Sequence, residues 1–101
     1  MNPRIMNLDK YKVTIDEDDQ RFEINTDSGE TAYIDYRWYK DMLVLLYIYV
    51  PIPYRGKGLS HALNHFALEY AKEKGVKVKV YCPYIAKYVR THPEYESMME
   101  V

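Results

Sequence analysis

The sequence predicts a small α+β protein: a twisted, mostly antiparallel sheet with one long helix and a short C-terminal helix. Two observations support this fold class. Four apolar or alternating runs come first, and a helical repeat begins only after residue 58. A fifth apolar run follows the long helix, so this α/β unit crosses over to a strand parallel to the fourth. The length of 101 residues fits a single domain spanning residues 1–101.

The first half of the chain alternates apolar and polar residues in short runs that end in turns. The predicted strands cover residues 11–15, 21–25, 31–36 and 42–50. The turn Asp27-Ser28-Gly29 joins the second and third strands as a hairpin. The fourth run is almost continuously apolar, which is typical of a central strand that is covered on both faces.

The second half begins where two prolines interrupt the apolar run. Pro51 and Pro53 lack backbone donors, so strand pairing is expected to stop near Val50. Apolar residues then recur at helical spacing from Leu59, and Gly75 marks the C-terminal end of that helix.

The C-terminal quarter contains the fifth apolar run and a second helical pattern. We predict a strand over residues 76–81 and a short helix over residues 85–90. The polar tail at 94–101 is expected to fray.

Composition and charge exclude several classes of function. The chain has 14 basic and 15 acidic residues that are interspersed, which argues against a nucleic-acid partner or an anionic membrane surface. The longest apolar run is too short to span a bilayer. The single cysteine, Cys82, excludes an internal disulfide, and with no signal peptide evident we expect a cytoplasmic protein. A chain this short has a thin stability margin, so a monomer or a homodimer is expected.

No metal site is predicted. His61 and His65 lie one helical turn apart, but the sequence shows no obvious third ligand. A polar or half-buried helix face explains them better.

The connection between the fourth strand and the long helix has the chemistry of an anion site. Glycines allow a sharp turn and a close approach of the backbone to a ligand. The helix that follows offers free amides and the positive end of its dipole. A Walker loop is excluded because Gly58 and Leu59 separate Lys57 from Ser60. A glycine-rich connection that binds nothing explains the same residues, so both interpretations stay open at this point.

This connection resembles the coenzyme A pyrophosphate loop of the GCN5-related N-acetyltransferases. Arg55, Gly58 and Ser60 fill its three fixed places, and Ser60 either fits there or caps the helix. The resemblance runs from residue 32 to residue 95 and extends to the minimal branch of that superfamily, which has Cys-Pro-Tyr and His-Pro-Glu-Tyr patterns. The segments that match in order are AYIDYR, VPIPYRGKGLSHAL, ALEYAKEKGVKV and YCPYIAKYVRTHPEY.

The resemblance implies a cleft for acetyl-coenzyme A as cosubstrate. In that superfamily the fourth and fifth strands splay apart, the pantetheine arm enters the gap, and the pyrophosphate lies on the loop amides. The residues expected to bind the cofactor are Val50, Arg55, Gly56, Lys57, Gly58, Leu59, Ser60 and Tyr84.

Cys82 is the candidate catalytic residue, since the resemblance places it at the strand rim near the thioester. A reactive thiolate would accept an acyl group, whereas a small buried apolar side chain is the alternative interpretation. Relatives carry a His-Thr-Glu-like run where this sequence has Tyr47, Ile48 and Tyr49.

The resemblance therefore implies acetyl transfer to an unidentified amine of a protein or a small molecule, either directly or through Cys82. The alternative is a module that binds coenzyme A or acyl-coenzyme A with little or no transfer.

Overall fold

A computed structural model describes residues 11–100 of the chain. The five strands form one sheet in the order β1-β2-β3-β4-β5, with antiparallel neighbours except for the parallel pair β4 and β5. This arrangement confirms the predicted α+β fold. The elements are β1 Thr14–Asp16, β2 Arg21–Asn25, β3 Thr31–Tyr39, β4 Met42–Tyr49, a 3₁₀ helix Ile52–Tyr54, α1 Leu59–Lys74, β5 Lys77–Val80, α2 Pro83–Arg90 and a 3₁₀ helix Pro93–Met98.

Three predicted boundaries differ from the observed ones by more than one residue. β1 begins at Thr14 instead of residue 11, and β3 continues beyond Tyr36 to Tyr39. α2 begins at Pro83, two residues before its predicted start. Proline suits the first position of a helix because its missing N–H would have no partner there and its φ is already helical.

The core lies between the sheet and the two helices. Alternation along β2 and β3 points Phe22, Ile34 and Tyr36 into it. α1 buries one face against these residues. β4 is buried on both faces only in its first half, because Tyr47 is 49% exposed. The prediction of a strand covered on both faces along its length was therefore wrong for the second half of β4.

The C-terminal tail does not fray as predicted. Tyr95 is buried in the core, and its hydroxyl donates a hydrogen bond to the Glu69 carboxylate at 2.6 Å. Met99 pairs with Val78 in an isolated parallel bridge, and the Glu100 N–H donates to the Val78 carbonyl at 2.7 Å. The buried tyrosine ring and these backbone contacts offset the entropy cost of ordering a polar segment.

None of the helices within the described range has both the length and the apolar character that a membrane span requires.

Candidate functional site

The sheet opens where β4 and β5 separate. The two strands pair from Met42 and Lys77 as far as Leu45 and Val80, and the Tyr81 N–H donates one further bond to the Leu45 carbonyl. β4 nevertheless continues along β3 to Tyr49. Over residues 46–49, the edge of β4 that faces away from β3 therefore pairs with no described strand. Such an edge offers backbone donors and acceptors to an extended ligand.

A β-bulge lies at the point of separation. Asp35 pairs with Tyr47 and Tyr36 pairs with Leu45, which leaves Leu46 as an extra residue in β4. A bulge bends its strand and increases the local twist. Here it coincides with the divergence of β5, so the geometry of β4 itself contributes to opening the sheet.

A cleft of about 630 Å³ occupies this opening. The end of β4, the glycine-containing turn, the first two turns of α1 and one side of α2 form its walls. Arg55 and Lys87 are the charged residues among the described ones that line it, and both are basic. The electrostatics of the cleft therefore favour an anionic ligand.

The turn at residues 55–60, which we call the phosphate loop, exposes the start of α1. Gly56 and Gly58 have φ values of +76° and +93°, which favour glycine. Gly58 is the N-cap residue. Within residues 11–100 no side chain caps the helix, and its first turn contains no acidic residue. Ser60 therefore does not cap α1, and the first-turn amides are available to an anion.

Two hydrogen bonds hold the phosphate loop and the 3₁₀ helix before it. The Arg55 Nε donates to the Val50 carbonyl at 2.8 Å, which ties the loop to the end of β4. The Ser28 N–H donates to the Tyr54 hydroxyl at 3.2 Å, which ties the 3₁₀ helix to the β2–β3 turn. Because these bonds order the backbone before binding, less conformational entropy is lost when a ligand binds to its amides.

Lys57 is the one residue of the phosphate loop that does not line the cleft. Its carbonyl accepts a hydrogen bond from the Tyr11 hydroxyl at 2.8 Å. The other predicted cofactor-binding residues line the cleft together: Val50, Arg55, Gly56, Gly58, Leu59, Ser60 and Tyr84. Tyr84 lies at the mouth and is mostly exposed.

Cys82 lies at the end of β5, as expected, but its side chain is only 3% exposed and packs in the core. It is the N-cap residue of α2, and its carbonyl accepts the Ala86 N–H at 2.9 Å. Cys82 is not among the residues that line the cleft. The acyl-carrier role of Cys82 stays a prediction.

Eight lining residues lie outside the predicted set, and two of these carry a buried polar atom. We call these two the cleft floor: Asn64 of α1 and Tyr88 of α2. They are 4% and 9% exposed, and neither the Asn64 Oδ1 nor the Tyr88 hydroxyl has a hydrogen-bond partner among the described residues. Burial raises the pKa of Tyr88 to about 12, with smaller contributions from Glu94 and Glu69. One signal was available in the sequence: Asn64 is a polar residue on the buried face of α1.

Three histidines form a cluster beside Tyr88, outside the lining of the cleft. The His92 ring stacks on Tyr88 with centroids 3.8 Å apart, and the His61 ring lies 5.4 Å from Tyr88 and 6.2 Å from His65. None of the three lines the cleft. Residues 11–100 contain no group of three or more His, Cys, Asp or Glu side chains placed to hold a metal ion. His61 and His92 pack against the Tyr88 ring, and His65 stacks on His61.

Comparisons with known proteins agree with this geometry. Protein NATD1 from Mus musculus is 37% identical over a segment that covers 52% of this chain and 59% of that protein, and the Homo sapiens protein is equally similar. The match thus spans less than two thirds of these relatives.

A solved structure resembles the whole fold. The NMR structure of a GCN5-like protein from Staphylococcus aureus has a TM-score of 0.67 at 16% identity, and the superposition covers 89% of this chain and 88% of that one. Residues 21–98 match the family described as GCN5-related N-acetyl-transferase. Because this match includes both the cleft and the phosphate loop, the chain belongs to the GCN5-related N-acetyltransferase family.

Proposed function

We propose that the chain binds acetyl-coenzyme A in the cleft and transfers the acetyl group to an amine. The observation that carries this proposal is the unpaired edge of β4 beside the uncapped start of α1, within a single cleft. An anionic group and an extended chain are the two ligand features that this arrangement suits.

Coenzyme A has both features. Its pyrophosphate is an anion that fits the amides of the phosphate loop and the charge of Arg55. Its pantetheine arm is extended and contains amide groups that suit the edge of β4 over residues 46–49. The cleft volume of about 630 Å³ also lies within the range typical of small-molecule sites.

The transfer forms one bond and breaks another. The nitrogen of a neutral amine attacks the thioester carbonyl carbon, the carbon–sulfur bond breaks, and coenzyme A leaves as a thiol after taking up the proton that the amine loses. Backbone N–H groups near Val50 are the candidate donors to the developing oxyanion. The burial of Cys82 and its place outside the cleft lining favour direct transfer over an acetyl-cysteine intermediate.

The described lining of the cleft has no carboxylate or imidazole to act as general base. The amine must therefore arrive neutral or lose its proton to solvent. We expect the turnover rate to rise with pH until the pH exceeds the pKa of the acceptor amine.

The same feature supports a second candidate function. A module that binds coenzyme A or acyl-coenzyme A needs the phosphate loop and the β4 edge but no base. Tyr47 and Tyr49 line the cleft at positions where the family resemblance implies polar residues, and their presence favours this alternative.

Titration calorimetry with acetyl-coenzyme A tests binding, and an assay with a panel of amines, followed by mass spectrometry of the products, tests transfer. Saturable binding with a product in at least one amine arm supports the enzyme. Binding without any product supports the module. Absence of binding contradicts both.

The role of Cys82 has its own test. If Cys82 carries the acetyl group, acetyl-coenzyme A without acceptor adds one acetyl mass to the protein, and Cys82→Ala abolishes both this label and turnover. If transfer is direct, no label appears on Cys82 and Cys82→Ala keeps most of its turnover. The geometry leads us to expect the second result.

A further inference from the structure

We propose that Lys87, a lysine in the wall of the cleft, is a self-acetylation site whose modification weakens the binding of coenzyme A. This inference rests on the proposed function, because it assumes that acetyl-coenzyme A enters the cleft. It gives the chain an acceptor amine of its own, and a way in which its affinity for the cofactor declines with use.

Lys87 is the one primary amine among the described residues that line the cleft. Arg55, the other basic lining residue, carries a guanidinium that stays protonated and does not act as a nucleophile. The hydroxyls of Ser60 and Thr91 also line the cleft, but a hydroxyl needs a base to become a nucleophile. An amine needs only to lose a proton. Lys87 is therefore the lining group best suited to attack a thioester.

Lys87 lies on the face of α2 that lines the cleft. The residues of this face recur at spacings of three and four: Tyr84, Lys87, Tyr88 and Thr91. The helix packs against β4, whose edge over residues 46–49 pairs with no described strand. An extended arm on this edge would therefore lie between β4 and the helix face that carries Lys87.

The order of the cleft walls decides which end of the ligand reaches α2. The phosphate loop follows the end of β4, so a pyrophosphate on the loop directs the arm back along β4 toward Leu45, where β5 separates. β5 ends at Val80, and α2 begins shortly afterwards at Pro83. The thioester is thus expected near the start of α2, and Lys87 lies about 6 Å further along the helix axis. The flexible four-carbon stem of lysine suits such a distance.

The side chain of Lys87 is not engaged elsewhere in the described part of the chain. The residue is exposed, and no hydrogen bond or ion pair joins its Nζ to any residue within 11–100. By contrast, the Lys77 Nζ donates to the Ser97 carbonyl at 3.0 Å. The Lys87 amine can therefore approach a ligand without breaking a contact of the fold, and water can take its proton.

The reaction is the proposed transfer with Lys87 as the amine. The Nζ ammonium first loses one proton to water. The neutral nitrogen then attacks the thioester carbonyl carbon, the carbon–sulfur bond breaks, and the leaving sulfur takes up the second proton that the nitrogen loses. The products are an amide on Lys87 and free coenzyme A. Because one cleft holds both reactants, the step takes place within the complex, which favours Lys87 over lysines that react by collision.

Acetylation of Lys87 removes a charge that favours the ligand. Arg55 and Lys87 are the charged residues of the described lining, and an acetylated lysine is neutral, so one cation remains. Coenzyme A is anionic, and its electrostatic attraction to the cleft falls accordingly. Each modified molecule therefore binds the next acetyl-coenzyme A more weakly.

Mass spectrometry of the chain incubated with acetyl-coenzyme A, with no added amine, tests the site. We expect one acetyl group on Lys87, formed at least about tenfold faster than on Lys72 because the reactants share one cleft. The rate should saturate with acetyl-coenzyme A and fall when free coenzyme A competes. The Lys87 amide resists hydroxylamine, which removes an acetyl thioester, so the label is distinguished from one on Cys82.

Lys72 is the matched control. Both residues are exposed lysines in the last turn of a helix, but Lys72 does not line the cleft. Lys87→Arg should abolish the fast label, whereas Lys72→Arg should keep it.

Calorimetry tests the effect on binding. Lys87→Gln has a neutral side chain, as acetyl-lysine has, and should bind coenzyme A about threefold more weakly than Lys87→Arg, which keeps the charge. The difference should shrink at high salt, because exposed charges are screened. Equal affinities at low salt would overturn the proposed weakening of binding.

The outcomes separate this site from the proposed function. If the wild-type chain does not bind coenzyme A, the proposed function fails and the self-acetylation site fails with it. If the chain binds coenzyme A but Lys87 is labelled no faster than Lys72, only the self-acetylation site is overturned. A rate that stays linear across concentrations spanning the calorimetric Kd would also overturn it, because the acetyl group would then come from unbound acetyl-coenzyme A.

Discussion

The phosphate loop and the cleft floor face the same cleft but are built by opposite means. The loop is exposed, and the polar groups that it offers are backbone amides, set by the positive φ of Gly56 and Gly58. The floor is buried, and its polar groups belong to the side chains of Asn64 and Tyr88. The character of the loop therefore depends on backbone conformation, whereas that of the floor depends on side-chain chemistry and on the packing around it.

The largest expected effect is a difference in stability between the core beside the cleft floor and the exposed phosphate loop. Leu63 is fully buried beside Asn64 on α1, so Leu63→Ala should lower the free energy of unfolding by about 2–5 kcal/mol. Ser60→Ala, one turn earlier in the exposed loop, should change it by less than about 0.5 kcal/mol. Urea titration followed by circular dichroism measures both. Similar losses in the two variants would remove the contrast.

Ligand binding in the cleft should stabilise the fold. At coenzyme A concentrations about a hundredfold above Kd, the folded state gains about 2.7 kcal/mol. For a domain of this size, the melting temperature should rise by roughly ten degrees or more. A thermal melt should show a smaller rise with adenosine 3′,5′-bisphosphate, which engages the loop alone. An equal rise with ATP or NAD would indicate a general anion site instead.

A charge in the loop should weaken binding more than backbone strain alone. Gly58→Glu introduces a carboxylate near the expected pyrophosphate, so coenzyme A affinity should fall at least about tenfold, or ~1.4 kcal/mol. Gly58→Ala is the control, because both variants strain a φ of +93° while the added Cβ meets Tyr11 only at an ordinary 3.8 Å. Calorimetry should show a greater loss for glutamate. Equal losses would mean that backbone conformation, rather than charge, dominates the loop.

The smallest expected effect is a pH dependence on the outer side of the cleft floor. Burial lowers the pKa of His61, and the positive charges of His65 and His92 lower it further. The folded state therefore disfavours protonated His61. Its contribution to stability is complete above the unfolded pKa of about 6.5 and falls as the pH drops below that value.

His61→Gln should reduce this acid-side slope without changing stability above neutral pH. Chemical denaturation between about pH 5 and pH 8, the range in which histidine titrates, compares the two proteins. Parallel pH profiles would show that other groups determine the slope.

Local patterns predicted those parts of the molecule whose physics is local. The alternation in residues 21–25 gave the bounds of β2, and the glycines at 56 and 58 indicated a turn that exposes helix amides. The start of α1 at Leu59 also matched, since helical periodicity and the preceding turn both act within a few residues.

The cleft floor was harder to predict because it depends on contacts between distant elements. Asn64 and Tyr88 become unpaired polar groups only when α1 and α2 pack beside the open end of β4. The tail shows the same limit. Its polar composition suggested fraying, but Tyr95 gains burial and a bond to Glu69, 26 residues away.

The ordered tail also affects how the sheet meets other protein molecules. β5 is the last strand of the sheet, and an exposed last strand invites a strand from a second copy to add to it. Here Met99 and Glu100 already occupy part of that side through their contacts with Val78. The strand at the other edge of the sheet is β1, which has only three residues. The segment that follows α2 thus covers part of the edge of β5 and leaves less of it open to a strand from another molecule, whose addition is a route to aggregation.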